Sequence, residues 1–304
     1  MRSLILAVCL MAGTVLAGPR ESLVVDANWL AKHIHDPNLV LLHIGDKAEY
    51  EATHIAGARY VSLQDISRPT DMERGDLHLE MPAPEELRER LQNLGISNDS
   101  RVIAYYGKDW VSPTTRVMLT LDYAGLGDRA SLLDGGMPAW VAAGQPTTAE
   151  ASAAKKGTLA PLKIKPAVIV TGDQVRAAMG KKGTVIIDGR SPAFYDGTDT
   201  GGMHDRPHKT GHIAGAASVP FTEVVNDQNV WKSPEELKAL FAKAGVKPGD
   251  KVIGYCHIGQ QATAMLFAAR SLGHEVALYD GSFEDWSRRA DGPVEGPAPK
   301  KEQK

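Results

Sequence analysis

Two cysteines occur in 304 residues, Cys9 and Cys256. Cys9 lies in the apolar amino-terminal run, so a chain trimmed of that run keeps Cys256 alone and has no internal disulfide to support it. Charge of one sign is also scarce. The formal net charge is −3 and no Lys/Arg block stands out, which excludes a nucleic-acid partner recruited by charge. No apolar run outside the first 17 residues is long, and that one is shorter than the roughly 20 residues a membrane span needs. His204 and His208 sit in a segment broken by Gly and Pro, so they form no helical i, i+4 metal pair and no metal site is expected. What remains is a chain with 43% hydrophobic residues, enough for about two cored domains.

The amino terminus reads as a targeting segment. Arg2 supplies a positive start, Ser3 to Leu16 is almost unbroken apolar sequence, and Val15-Leu16-Ala17 before Gly18 is a small-residue cleavage pattern. Residues 1–17 are therefore expected to be a signal peptide, with the mature protein exported to the periplasm or secreted and not stably inserted in a membrane.

The remainder contains one unit twice. Pro84-Glu85-Glu86-Leu87 recurs as Pro234-Glu235-Glu236-Leu237, and Val102-Ile103 as Val252-Ile253, each 150 residues on. His54-Ile55-Ala56-Gly57-Ala58 recurs as His212-Ile213-Ala214-Gly215-Ala216, and Asp134-Gly135 with Trp140 as Asp280-Gly281 with Trp286. Short aliphatic runs at Val40–Leu42, Arg101–Tyr105, Leu132–Leu133, Val185–Ile187, Lys251–Tyr255 and Ala277–Tyr279 read as buried parallel strands. Pro84 and Pro234, each followed by two glutamates, open helices whose Leu87, Leu91 and Leu94, or Leu237, Leu240 and Phe241, share a face. Strands alternating with helices predict an α/β fold, a parallel sheet covered by helices on both faces in each unit. The boundaries read as 20–144 and 167–290, with a bridge over 145–166 and a flexible tail over 291–304.

Cys256 occupies the most informative position. Lys251–Tyr255 is a strand, His257-Ile258-Gly259-Gln260-Gln261 a short loop, and Ala262–Leu272 a helix rich in good helix formers. A strand, a tight loop and a helix start aim backbone N–H groups into one concavity, which favours an anion and hence a thiolate. From position alone Cys256 is either a buried structural cysteine or a reactive one.

These blocks resemble the rhodanese family: Asp188-Gly189-Arg190 after a strand, Gly211-His212-Ile213 through Ala216, and the Asp-Gly pair six residues before each tryptophan. The doubled layout is similar to the thiosulfate and mercaptopyruvate sulfurtransferases over about residues 22–290. The resemblance implies two tandem rhodanese-like domains and catalysis at Cys256. His257, Ile258, Gly259, Gln260, Gln261 and Arg190 are then the substrate-binding set, with no metal or cofactor. His204, Arg206, His208 and Lys209 add positive charge where mercaptopyruvate enzymes bind their donor. It further implies a sulfane sulfur taken from thiosulfate onto Cys256 and passed to cyanide or a thiol. The alternatives are a 3-mercaptopyruvate sulfurtransferase and a persulfide carrier serving one protein partner. The loop Cys256-His257-Ile258-Gly259 departs from both donor-specific patterns, and Ile258 replaces the serine of the mercaptopyruvate loop. Phosphatases that share this fold carry Cys-x5-Arg, but Ala262 stands at the arginine position. In the first unit Tyr106 replaces the cysteine and His43 replaces Asp188, so that unit is expected to be catalytically silent.

Amino-terminal sequencing of protein recovered from its native host is expected to begin near Gly18 in an extracytoplasmic fraction; an intact Met1 on cytoplasmic protein would overturn the export reading.

Overall fold

A computed structural model describes residues 19–71, 73–108, 110–152, 155–200 and 209–296. The export segment with Cys9, and His204, Arg206 and His208, lie outside the described residues.

The first unit begins with α1 (Pro19–Leu23), β1 (Val24–Val25) and α2 (Ala27–His33), followed by β2 (Leu39–Ile44), α3 (Lys47–Ala52) and β3 (Arg59–Val61). Then come α4 (Pro84–Asn93), β4 (Arg101–Tyr106), α5 (Val111–Tyr123), β5 (Ala130–Leu133) and α6 (Gly136–Ala142). The second unit repeats the scheme with β6 (Ile169–Val170), α7 (Gly172–Ala178), β7 (Thr184–Asp188), α8 (Pro192–Tyr195), β8 (His212–Ile213) and β9 (Ala217–Ser218). It continues through α9 (Pro234–Lys243), β10 (Lys251–Tyr255), α10 (Ala262–Ser271), β11 (Val276–Tyr279), α11 (Ser282–Trp286) and β12 (Val294–Glu295). The two five-stranded sheets have the orders β1-β5-β4-β2-β3 and β6-β11-β10-β7-β9, and every pairing in them is parallel. The α/β reading therefore holds, and the strands inferred from aliphatic runs lie at the centre of each sheet.

Local chemistry explains the helix starts. Pro84 and Pro234 are first-turn prolines, and Ser233 and Glu236 form a reciprocal capping box in which Glu236 N–H donates to Ser233 Oγ (3.3 Å) and Ser233 N–H to Glu236 Oε2 (2.9 Å). Each sheet then has two buried faces. The outer faces are packed by α2 and α6 around Leu30 and Trp140, and by α7 and α11 around Val175 and Trp286. The inner faces share one apolar cluster, running from Leu42, Ala104 and Leu121 in the first unit to Val252, Cys256, Leu266 and Leu278 in the second.

Polar bonds cross this shared core in matched pairs. Asp134 Oδ1 accepts Trp231 N–H (3.1 Å) and Asp280 Oδ2 accepts Met81 N–H (2.7 Å), and Met81 and Trp231 are themselves 150 residues apart. At the centre the hydroxyls of Thr115 and Thr263 meet at 2.8 Å. The arrangement is a pseudo-twofold one, each unit offering the same patch to the other. Tyr106 adds a bond without a counterpart: its buried hydroxyl donates to Asn229 O at 2.7 Å.

The bridge between the units lies along the first unit: Gly157 N–H donates to Gln92 O (2.7 Å), Ala160 N–H to Asn98 Oδ1 (2.8 Å), and Leu159 enters the shared core. Likewise the start of the carboxy-terminal tail is ordered, because β12 pairs antiparallel with β8, Val294 opposite Ile213. Both returns supply backbone partners for the two His-Ile-Ala-Gly-Ala segments, His54 pairing with Thr148 in the first unit.

Removing the Tyr106 hydroxyl deletes one inter-unit hydrogen bond. Tyr106→Phe is expected to lower stability by about 1 kcal/mol, a melting shift of roughly 2–4 °C, while leaving turnover at Cys256 near the wild-type value; calorimetry beside a steady-state assay checks both.

His43 supplies a second prediction. It is 1% exposed and neither ring nitrogen has a hydrogen-bond partner among the described residues. Desolvation, reinforced by His54 and opposed by Glu49, lowers its pKa to about 4. The unfolded chain therefore binds this proton more readily, and stability is lost as pH falls from about 6.5 to about 4, by up to roughly 3 kcal/mol. His43→Leu is expected to flatten that part of the stability–pH curve in chemical denaturation; an unchanged slope would contradict it.

Candidate active site

Cys256 follows directly on β10 and is fully buried, within the apolar cluster shared by the two units. The first turn of α11 holds its backbone. Phe283 N–H donates to Cys256 O (2.9 Å) and Glu284 N–H to His257 O (3.0 Å). Cys256 N–H donates to Ser282 Oγ at 3.3 Å, and that hydroxyl donates to Tyr279 O at 2.9 Å. Ser282 itself has a left-handed backbone (φ 50°), where the first unit has Gly136 (φ 54°). A non-glycine residue there carries strain of about 1 kcal/mol, and its hydroxyl sits beside the cysteine.

The loop after Cys256 turns through Gly259, whose φ is +78° and whose missing Cβ would stand 2.9 Å from Asp280 O and 3.1 Å from Arg116 Nη1. Glycine is required there on both counts. The N–H groups of Ile258, Gly259, Gln260 and Gln261 find no acceptor among the described residues. Unpaired donors on consecutive residues next to a helix start form a receptor for an anion. The Gln260 side chain donates from Nε2 to Ser112 Oγ (3.3 Å), and the Gln260 backbone carbonyl accepts from Thr263 Oγ1 (2.6 Å). His257 lies edge-on to Phe194, with ring centroids 4.4 Å apart.

Arg190 takes a place different from that of an open anion clamp. It is 2% exposed, with Nε 3.0 Å and Nη2 2.6 Å from the Asp188 carboxylate, and Nη2 also donates to Gly211 O (2.7 Å). Its guanidinium lies 4.1 Å from the centroid of Phe283, in the turn of α11 that holds the Cys256 backbone. Desolvation works against its charge, but hydrogen bonding and attraction to Asp188 more than restore it, and its pKa is raised. Arg190 is thus a buried cation whose field reaches Cys256, with Nη1 the nitrogen left outside the Asp188 and Gly211 bonds. Lys209 is turned elsewhere: Nζ donates to the carbonyls of Arg289 (2.5 Å) and Gly292.

The structure adds residues that the motif did not reveal, several from the first unit. His78 donates from its backbone to Glu284 Oε2 (2.9 Å) and its Nδ1 meets Glu284 Oε1 (3.0 Å), so a strap of the first unit lies against the turn of α11 that holds the Cys256 backbone. Arg116, fully buried, donates from Nη1 to Gly259 O (3.1 Å) and Asp280 Oδ1 (2.8 Å), and from Nη2 to Leu79 O. A single charged residue, Arg116, in the otherwise uncharged stretch from Val111 to Leu121 was the sequence signal for it. Ser282 was signalled by Asp-Gly-Ser standing where the first unit has Asp-Gly-Gly.

Comparison with known proteins identifies the family. The rhodanese-like domain matches residues 26–143 and 171–289. The thiosulfate sulfurtransferase of Rattus norvegicus is 30% identical over 291 residues, covering 88% of this chain and 92% of its own. The sulfur carrier protein TtuD of Thermus thermophilus is 30% identical over 284 residues, covering 89% and 95%. Among solved structures, the anaerobic ergothioneine biosynthesis enzyme of Chlorobium limicola, bound to trimethyl histidine, superposes with a TM-score of 0.80 at 22% identity over 92% of this chain and 71% of its own, a likeness of fold. The chain belongs to the rhodanese-like family, as two rhodanese-like domains in tandem, and stands among its sulfurtransferases.

Proposed function

We propose that this protein moves the outer sulfur of thiosulfate to cyanide or a thiol through a persulfide on Cys256, and that it does so outside the cytoplasm. The observation that carries the reading is a buried cysteine followed by a loop whose four N–H groups, of Ile258 to Gln261, find no acceptor among the described residues. In the first half-reaction the Cys256 thiolate attacks the outer sulfur, the sulfur–sulfur bond of thiosulfate breaks, and sulfite departs with the electron pair. The terminal sulfur of the resulting persulfide bears the negative charge, and the N–H groups of the loop receive it. In the second half-reaction cyanide attacks that sulfur, thiocyanate leaves, and the thiolate returns. Two half-reactions on one enzyme predict ping-pong kinetics.

Thiosulfate is favoured as donor by proton handling. Mercaptopyruvate leaves as an enolate that needs a proton, whereas sulfite is already a stable anion. Ile258 brings no hydroxyl to the loop. Arg190 contributes long-range positive charge, and His257 lies beside the loop donors. The kinship with a sulfur carrier raises a second reading, in which the persulfide serves a single protein acceptor.

Steady-state kcat/KM with both donors and cyanide as acceptor tests this. Wild type is expected to prefer thiosulfate by about tenfold or more, His257→Ala to lose part of that rate, and Cys256→Ser to lose turnover altogether while keeping its fold. A preference for mercaptopyruvate reverses the donor; negligible turnover with cyanide but not with a protein thiol favours the carrier.

A further inference from the structure

The arginine that touches the loop of the second unit comes from the first. Thr115 and Thr263 meet across the seam, and Gly125 (φ 79°) and Gly273 (φ 90°) close α5 and α10 with the same left-handed turn, each pair 148 residues apart (115 to 263, 125 to 273). By that register Arg116 corresponds to Ala264. The contact therefore runs one way: the first unit grips the loop of the second, and Ala264 has no side chain with which to return the grip.

Gly259 O receives this grip, with Arg116 Nη1 at 3.1 Å. A trans peptide places its carbonyl and its N–H on opposite sides. Holding Gly259 O outward, against Arg116, turns the N–H of Gln260 away from Arg116 and leaves it among the donors without acceptors. At Gly259 the backbone is left-handed and lacks a Cβ, so nothing in its own side chain resists a flip of that peptide. The remaining bonds fix the guanidinium: Asp280 Oδ1 at 2.8 Å and the carbonyl of Leu79, while Asp280 Oδ2 is held by Met81 N–H at 2.7 Å.

We propose that Arg116 is a positioning residue for sulfur transfer, which locks the Gly259–Gln260 peptide so that its N–H faces the sulfur on Cys256, and so makes the silent unit a working part of the active one. The proposal rests on the Cys256 reading above and identifies what sets the geometry of its anion receptor. Arg116 touches neither donor nor acceptor. Its effect is on how well the loop stabilises a negatively charged sulfur.

The test compares Asp280→Asn with the double variant Arg116→Met/Asp280→Asn, since removing the arginine alone leaves a carboxylate uncompensated in the interior. Circular dichroism and melting establish that both fold. The first readout is the pH at which iodoacetamide labels Cys256 at half its maximal rate, measured with no sulfur donor present. The second is the split between kcat and KM for thiosulfate. Relative to Asp280→Asn, the double variant is expected to need a pH about one unit higher for half-maximal labelling, and to lose roughly tenfold in kcat with a smaller change in KM. Arg116→Lys, which keeps one donor, is expected to fall between wild type and the double variant. If the folded double variant labels and turns over like Asp280→Asn, Arg116 is only a pin between the units and the proposal is overturned. Because labelling needs no donor, a wrong donor would empty the kinetic arm without touching the labelling arm, so the two readings fail separately.

Discussion

Two carboxylates each accept one backbone N–H from the opposite unit, Asp134 from Trp231 and Asp280 from Met81, over an apolar core that the two sheets own jointly. The rest of the molecule depends on that seam. An N–H donating to a buried carboxylate is among the stronger hydrogen bonds in a protein, and here two of them fix the straps that precede α4 and α9. Burial raises the pKa of Asp134, a cost that the Trp231 N–H and the nearby Arg20 offset in part. Once the straps are fixed, His78, Leu79 and Met81 of the first unit lie against the turn and loop around Cys256. The candidate site is thus made at the join, the usual place for a small-molecule site in a two-domain chain.

The units keep one scaffold and differ at a few positions that change its chemistry. The β4 and β10 strands end in Tyr106 and Cys256, and β2 and β7 present His43 and Asp188 opposite Tyr105 and Tyr255. Where Arg190 completes a buried pair in the second unit, the first has Gly45, and its neutral histidine has no hydrogen-bond partner among the described residues. A hydroxyl on Ser282 faces the cysteine backbone, and Gly136 has none to offer. The first unit turned its tyrosine to a structural use, since burial pushes the phenol pKa up and its proton is committed to Asn229 O. The two copies of one fold thus differ in chemistry through the side chains at a few matching places.

Much of this was legible in the sequence. The central strands carried continuous aliphatic runs, the helix starts carried proline and acidic residues, and the strand-loop-helix around Cys256 showed itself by local composition. Edge strands such as Val24–Val25 and Ala217–Ser218 escaped, because two residues carry no period and their existence is decided by the neighbouring strand. Proximity across the seam was also hidden. Arg116 lies 140 residues before Cys256 in the sequence, and only the packing of α5 on α10 brings it to Gly259. Arg190 was visible as a candidate, but its burial beside Asp188 was not, because a surface ion pair and an interior one look alike in sequence.

The central claim is that Cys256 carries the transferred sulfur in the receptor formed by its loop. It is tested most directly by mass spectrometry of the protein after brief treatment with thiosulfate, removal of the donor, and peptide mapping without reductant. The account predicts one added sulfur atom on the peptide containing Cys256, lost on addition of cyanide with release of an equal amount of thiocyanate. A protein that turns thiosulfate over yet never carries sulfur at Cys256 would contradict it.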